Sequence, residues 1–151
     1  MTNNTKKFFE DYRVGEAETI GQYQIREKEM VSFAEKWDPQ PFHVDKEAAL
    51  LSAHGGLTAA GCYILSVAIR IVSYGQKNPQ LIAAIGWDEL RFPNPARPDD
   101  VLTLSLECVQ ARPSHSKPDR GIVRNQLTLC NQQGQTVLSF QDIIMVKRKR
   151  V

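Results

Sequence analysis

The segment over residues 61–74 limits most strongly what this chain can fold into. It is apolar on nearly every side, and its only polar breaks are Ser66, Arg70 and Ser73. A helix at a protein surface carries a polar stripe, whereas a helix that is apolar all round is buried inside the protein. We therefore expect one buried helix here. Arg70 interrupts the apolar run far short of the ~20 residues that a membrane span requires, so no transmembrane segment is predicted.

The sequence after this helix consists of β-rich segments separated by turns. Apolar and polar residues alternate with a period of two over 102–106 and 123–129, which is typical of strands with one buried face. Short turns between consecutive strands favour antiparallel pairing. The predicted strands cover residues 81–92, 101–111, 121–130 and 136–146.

The first part of the chain combines one strand with short helices. Residues 17–26 are predicted as a strand, and apolar residues at helical spacing predict a helix over 30–37. That helix is expected to end before Pro39, which disfavours the helical conformation of the residue preceding it. Asp45 is predicted to cap a further short helix that ends at Leu51. The resulting fold class is α+β, with an antiparallel sheet wrapped around a long buried central helix.

The composition is that of one ordinary globular domain. The chain has 151 residues, of which 42% are hydrophobic and 24% charged, and a chain of this length can bury a sizeable core. Lys and Arg total 19, and Asp and Glu total 17, so the charge is too even to indicate binding to nucleic acid. We expect a disordered tail over residues 1–7 and a single domain over residues 8–151.

The cysteines give an expectation about the cellular compartment. Cys62, Cys108 and Cys130 are odd in number, and no two of them form a C-x-x-C pair. A disulfide framework is therefore not expected, and reduced thiols are typical of cytoplasmic proteins. The N-terminal residues contain no apolar stretch of the kind found in signal peptides. The histidine spacing matches no metal site, so we expect a cytoplasmic protein that binds no metal and no membrane.

A segment stiffened by prolines carries the residues with the clearest chemical potential. Asp38 and His43 lie five residues apart, with Pro39 and Pro41 between them. Each proline fixes its own φ and restricts the residue before it, so the segment can hold both side chains toward one point. A carboxylate and an imidazole so placed can share a water, one accepting a proton and the other donating one. The alternative is a rigid turn in which Asp38 caps a helix and His43 lies at the surface.

Gly61 stands where the apolar helix begins. The first backbone N–H groups of a helix have no partner within the helix, and a glycine lets a ligand approach closely. A free N–H together with the helix dipole suits a developing oxyanion, such as a thioester carbonyl that becomes an enolate. The alternative is that Gly61 only permits close packing against the sheet.

These residues, in this order, resemble the MaoC-like dehydratases and (R)-specific enoyl-CoA hydratases of the hot-dog fold. The resemblance extends over nearly the whole chain. In these families, many hydratases carry Asn where this chain has Gln40. The matching segments are the opening over 9–15, the hydratase motif over 38–45, the lead into the central helix over 55–61, and a strand and turn over 90–92 and 95–100.

The resemblance implies a role for each candidate residue. Asp38 and His43 would hold the water that adds across a trans-2-enoyl-CoA to give an (R)-3-hydroxyacyl-CoA, and the N–H of Gly61 would bind the thioester oxygen. Coenzyme A is part of the substrate, and no metal or redox cofactor is implied. The expected substrate-binding residues are Gln40, Phe42, Gly56, Ser66 and Arg91.

Other interpretations of these residues remain open at this point. The alternative for Ser66 is a hydrogen bond to its own helix, and Arg91 and Arg97 are either contacts for the phosphates of coenzyme A or ordinary surface charges. The run over 147–150 is read as a solvated basic edge. A lone hot-dog sheet leaves edge strands exposed, so fold analogy predicts at least a homodimer.

Two other functions compete with the hydratase. A hot-dog acyl-CoA thioesterase would use the same pocket, but many such enzymes place a carboxylate on or near the central helix, and no Asp or Glu occurs between Ala48 and Trp87. A non-catalytic acyl-CoA-binding subunit would be expected to lose the Asp38–His43 dyad, which this chain retains.

Overall fold

A single antiparallel sheet forms the frame of the structure, a computed structural model that describes residues 5–76 and 78–150. Its strand order is β1-β3-β4-β5-β2, with every neighbouring pair antiparallel. All five strands were predicted from the sequence, with ends correct to within two residues. They are β1 (Ala17–Gln24), β2 (Leu81–Arg91), β3 (Val101–Pro113), β4 (Arg120–Cys130) and β5 (Thr136–Lys147).

The helices precede the main run of strands. They are α1 (Glu27–Trp37), α2 (Pro41–Val44), α3 (Lys46–Leu51) and α4 (Gly61–Gly75). α1 ends at Trp37 as predicted but begins three residues earlier, since Glu27 and Glu29 in its first turn favour a helix N-terminus. Asp45 caps α3 as predicted, because its Oδ1 accepts hydrogen bonds from the backbone N–H groups of Glu47 and Ala48 at 2.9 and 3.1 Å.

The short helix α2 was not predicted, because Pro41 indicated only a stiffened segment between Asp38 and His43. Pro41 occupies the first turn of α2. A proline is well tolerated there, since the missing N–H has no helical partner in any case and the fixed φ suits a helix. The segment from Asp38 to His43 is therefore helical from Pro41 onward, and His43 lies on this turn of helix.

The central helix α4 is buried on one face only. It packs against β1, β3 and β5, and the residues of its buried face are Tyr63, Ile64, Val67, Ala68 and Ile71. The expectation of burial on all sides is wrong for a single chain, because the stripe formed by Cys62, Ser66, Ile69 and Ser73 is exposed. These four residues follow helical spacing, so the exposed stripe is one continuous face.

A second hydrophobic cluster covers the other end of the same sheet face. The short 3-10 helix Phe9–Asp11 lies over it, and its buried members are Phe9, Tyr12, Cys108, Val123, Ile144 and Val146. The basic run near the C-terminus was predicted to be solvated, but two of its residues pair with this helix. Arg148 Nε lies 3.0 Å from Glu10 Oε1, and the ammonium of Lys149 contacts Asp11.

Some sequence expectations concern the chain ends and the membrane. Residues 1–4 of the predicted tail, and residue 151, lie outside the described residues, while Lys7 forms a parallel bridge with Pro79. Within 5–76 and 78–150, no helix is long and apolar enough to cross a membrane. The three cysteines are free.

Asp142 of β5 is a buried carboxyl that should make stability depend on pH. It lies opposite Asn125 of β4, whose Nδ2 donates to Asp142 Oδ1 at 3.0 Å. Burial raises the pKa of Asp142 to about 6, above the ordinary value near 3.9 in an unfolded chain. The native state therefore binds this proton more tightly. The resulting stabilisation is complete below the unfolded pKa and is lost as the pH rises through about 6.

Asp142→Asn should consequently stabilise the protein at high pH. The substitution keeps the shape and removes the buried charge, so the free energy of unfolding at about pH 8 should rise by on the order of 2 kcal/mol. At about pH 4 the gain should nearly vanish. Urea unfolding at both pH values measures this, with the exposed Asp99→Asn as control. An equal change in the free energy of unfolding at both pH values would show that the charge of Asp142 does not make the stability depend on pH.

Candidate active site

The end of α1 and the turn of α2 bring Asp38 and His43 together. Asp38 is the C-cap of α1, and its backbone N–H donates to Ala34 O at 2.8 Å. His43 follows on α2, where its N–H donates to Gln40 O at 2.9 Å. As a result, Asp38 Oδ2 lies 3.6 Å from His43 Nε2. Asp38 does cap a helix, as the alternative interpretation held, but His43 is buried, with 8% of its surface exposed.

The second ring nitrogen of His43 fixes the chemistry of the first. Nδ1 lies 2.7 Å from the carbonyl oxygen of Thr58 and 3.2 Å from the Thr58 hydroxyl. A carbonyl oxygen can only accept, so Nδ1 carries the hydrogen. In the neutral ring Nε2 is then an acceptor, and it faces the carboxylate of Asp38. With the imidazole neutral, Asp38 Oδ2 and His43 Nε2 are therefore two proton acceptors that face one point.

Thr58 owes its position to contacts on both sides. Its N–H donates to Phe42 O at 3.2 Å, and the next N–H along, that of Ala59, donates to Ala96 O at 2.9 Å. The segment is thus held between α2 and the turn before β3. The sequence identified Thr58 only as part of the lead into the central helix, because the functional group is a backbone carbonyl that every residue possesses.

Gly61 begins α4, as predicted. Across the described parts of the chain, neither its N–H nor that of Cys62 donates to a protein acceptor. Close packing also favours a glycine at this position, since a Cβ on Gly61 would lie 2.8 Å from the tip of the Phe92 ring and would displace it. Both interpretations of Gly61 therefore have a geometric basis, and the free N–H groups give the helix start the capacity to bind an anion.

His43 and Gly61 line one cavity of about 290 Å³. On one wall the Phe42 ring lies between the rings of His43 and His54, with centroid distances of 4.6 Å to each, edge-on to His43 and tilted against His54. The remaining lining residues are Thr58, Ala59, Ile64, Phe92, Pro93, Asn94 and Pro95. The lining is mostly apolar with a few polar groups, which is typical of small-molecule sites. Larger cavities elsewhere, including one of about 600 Å³ beside α1, contain neither Asp38 nor His43.

The structure separates the predicted substrate-binding residues into two groups. Phe42 lines the cavity, and Gly56 lies in the irregular segment that leads to Thr58. Gln40, Ser66 and Arg91 are exposed and do not line it. The Ser66 hydroxyl donates at 2.8 Å to the carbonyl of the fourth residue before it on α4, which is the alternative that the sequence left open. Arg91 lies 3.4 Å from Glu89 on its own strand.

A hydrogen-bonded group of one glutamate and two tyrosines, which the sequence did not indicate, holds α1 against α4. Glu29 Oε1 accepts hydrogen bonds from the hydroxyls of Tyr63 and Tyr23, both at 2.7 Å. These two hydrogen bonds lower the pKa of Glu29, and burial, followed by the bond to Glu29, raises the pKa of Tyr63. Because Asp38 caps the C-terminus of α1, these hydrogen bonds help to fix the position of the dyad relative to the start of α4.

Comparison with known proteins identifies the family. A family model described as the MaoC like domain matches residues 13–130. The chain belongs to the MaoC-like dehydratase family. The MaoC-like dehydratase from Rhodospirillum rubrum is 35% identical, covers 95% of this chain and 99% of its own, and superposes with a TM-score of 0.89.

Two more distant structures support the fold. The R-hydratase PhaJ1 from Pseudomonas aeruginosa is 23% identical, with a TM-score of 0.76 over 95% of this chain and 88% of its own. A Mycobacterium tuberculosis protein described as having a double hot-dog fold is 17% identical, with a TM-score of 0.79 over 95% of this chain and 45% of its own. The MaoC-like chain thus has the predicted α+β hot-dog fold.

Proposed function

We propose that this protein is a hydro-lyase that reversibly hydrates a trans-2-enoyl-CoA to an (R)-3-hydroxyacyl-CoA, a reaction of fatty acid metabolism. The observation that carries the proposal is the 3.6 Å approach of Asp38 Oδ2 to His43 Nε2. His43 also lines the same cavity as Gly61, whose N–H donates to no acceptor among the described residues. Membership of the MaoC-like family supports hydratase chemistry, and the name of the R-hydratase with a similar fold supports the (R) product.

The proposed reaction needs only the dyad, the Gly61 N–H and one water. The water donates its two hydrogens toward Asp38 and His43 Nε2, and its oxygen attacks C3 of the enoyl group. One O–H bond breaks, the C3–O bond forms, and the proton passes to one of the two acceptors. The electron pair of the double bond moves to the thioester oxygen, where the N–H of Gly61 stabilises the enolate.

The same proton completes the reaction. The acceptor that took it gives it to C2 as the enolate returns to a thioester, so hydrogen and hydroxyl arrive on the same face. Dehydration runs through the same steps in reverse. Coenzyme A enters only as part of the substrate, and the atoms and electrons balance without a metal or a redox cofactor.

The decisive experiment follows the enoyl-thioester absorbance with crotonyl-CoA and with a longer 2-enoyl-CoA, while free thiol is measured in parallel. Loss of the enoyl band without thiol release is the expected result. Thiol release would replace the hydratase with an acyl-CoA thioesterase. No reaction on either substrate, together with thioester bound to the purified protein, would favour a non-catalytic acyl-CoA-binding subunit.

We also propose that the active unit is a homodimer joined along β2. This strand is an edge of the sheet, and Ile85 and Trp87 on it are 51% and 48% exposed. An exposed apolar edge strand is otherwise an aggregation hazard. On the exposed stripe of α4, Ile69 is a further exposed apolar residue that a second copy would cover. The free cysteines suit a cytoplasmic location.

Ile85→Lys should convert this dimer to a monomer. A charge placed on the apolar edge must be desolvated when the edges pair, so association should be lost. Light scattering after gel filtration should give twice the chain mass for the wild type and the chain mass for the variant. Leu51→Lys, at a residue of α3 that is also exposed, should remain dimeric. A monomeric wild type would refute the proposed dimer.

A further inference from the structure

We propose that Arg97 is a positioning residue that holds His43 in its working tautomer through the segment before α4. The claim about turnover rests on the proposed hydratase function, but the claim about His43 does not. The sequence offered two other interpretations of Arg97, a contact for the phosphates of coenzyme A and an ordinary surface charge.

The guanidinium of Arg97 is half-buried and is bound to consecutive parts of one segment. Nη1 donates to the carbonyls of Gly56 and Leu57 at 3.0 and 3.3 Å, and Nη2 donates to the carbonyl of His54 at 2.5 Å. Arg97 is itself fixed, since its backbone N–H donates to Asp100 Oδ2 at 2.9 Å. Three carbonyls more than 39 residues away in sequence are therefore tied to one side chain.

Besides Arg97, the N–H groups of Thr58 and Ala59 hold the segment before α4 through hydrogen bonds to Phe42 and Ala96. Residues 52–60 form neither helix nor strand, so their carbonyls need partners outside secondary structure. Leu57 directly precedes Thr58, whose carbonyl accepts the Nδ1 hydrogen of His43 at 2.7 Å. Gly61, three residues after Thr58, lines the cavity. A shift of the segment therefore moves both the carbonyl that sets the tautomer and the amide that would bind the thioester oxygen.

The chemistry of arginine suits this role better than that of lysine. The planar guanidinium presents its donors in a fixed fork, whereas an ammonium is a compact charge on a flexible stem. No carboxylate pairs with the Arg97 side chain among the ion pairs of the described residues. Its hydrogen bonds go to neutral carbonyls, so Arg97 fixes the position of the backbone that carries them.

The test uses Arg97→Met, which keeps a long apolar stem without donors, and Arg97→Lys, which keeps the charge without the fork. Arg112→Met is the matched control, because Arg112 is exposed and its side chain donates a hydrogen bond to the carbonyl of the adjacent Pro113. Each variant is assayed with crotonyl-CoA and with the crotonyl thioester of N-acetylcysteamine, which has the same reacting group but no phosphates.

We expect Arg97→Met to lower kcat roughly 10- to 100-fold with both thioesters, as a misplaced catalytic group does, with KM nearly unchanged. Arg97→Lys should restore little, and Arg112→Met should match the wild type. A defect confined to crotonyl-CoA and expressed as a raised KM would overturn the proposal in favour of a phosphate contact. Unchanged kinetics in both Arg97 variants would overturn it in favour of a surface charge.

A second readout does not depend on activity. The chain has three histidines, so ¹⁵N spectra of the histidine rings are simple to assign. His43 in the wild type should be in the Nδ1–H form when neutral, and in Arg97→Met and Arg97→Lys it should shift toward a mixture of tautomers. An unchanged His43 tautomer in a folded variant refutes the positioning role. A changed tautomer in a protein whose wild type hydrates no enoyl thioester would refute the proposed function and leave the role of Arg97 standing.

Discussion

Asp38→Asn should lower kcat for enoyl-thioester hydration by roughly 10²–10⁴-fold, the usual contribution of a positioned acid or base. The side chain faces His43 Nε2 at 3.6 Å and is 35% exposed, so the substitution leaves no buried group unsatisfied. The amide keeps the shape of the carboxylate, but its NH₂ group donates where the reaction needs an acceptor. The cap of α1 uses the backbone N–H and should survive.

Turnover of crotonyl-CoA measures the loss of kcat, and the thermal melting curve measures whether the variant keeps its fold. Glu35→Gln is the matched control, since Glu35 is an exposed acid on the same helix, three residues before Asp38. It should leave both kcat and the melting temperature as in the wild type. Normal turnover in a folded Asp38→Asn variant would refute the assignment of Asp38 and His43 as a catalytic dyad.

The features that the sequence predicted depend on local geometry. The alternation that predicted β4 reflects the pleat of a strand, in which successive side chains point to opposite faces. Asp38 and His43 meet because two prolines stiffen the five-residue step between them. The start of α4 at Gly61 follows from the change to a continuous apolar run. In each case the cause lies within a few residues of its effect.

The features that the sequence did not predict depend on distant partners. The carbonyl of Thr58 acts on a histidine 15 residues away, and Arg97 reaches carbonyls more than 39 residues away. Every residue has a backbone carbonyl, so no sequence motif indicates these contacts. The exposed stripe of α4 is different, because Ser66 and Ser73 lie on it at helical spacing and could have indicated it from the sequence.

His43→Ala should lower kcat for hydration by a similar factor, roughly 10²–10⁴-fold. It also leaves the Thr58 carbonyl without its partner inside the protein, which should cost about 1–3 kcal/mol of stability. His43→Asn separates the two effects, because its amide can still donate to Thr58 while nothing replaces Nε2. We expect His43→Asn to be as inactive as His43→Ala but more stable. His115→Ala, at an exposed histidine, should behave as the wild type.

The double variant Asp38→Asn/His43→Asn tests whether the two side chains act on one water. Groups that work as a unit show strongly non-additive effects, so removal of the second costs little once the first is gone. We therefore expect kcat of the double variant to lie within about tenfold of the weaker single variant. If the two losses instead multiply, Asp38 and His43 act in separate steps. The 3.6 Å separation of Oδ2 and Nε2 favours the shared water, because one molecule can donate to both atoms at once.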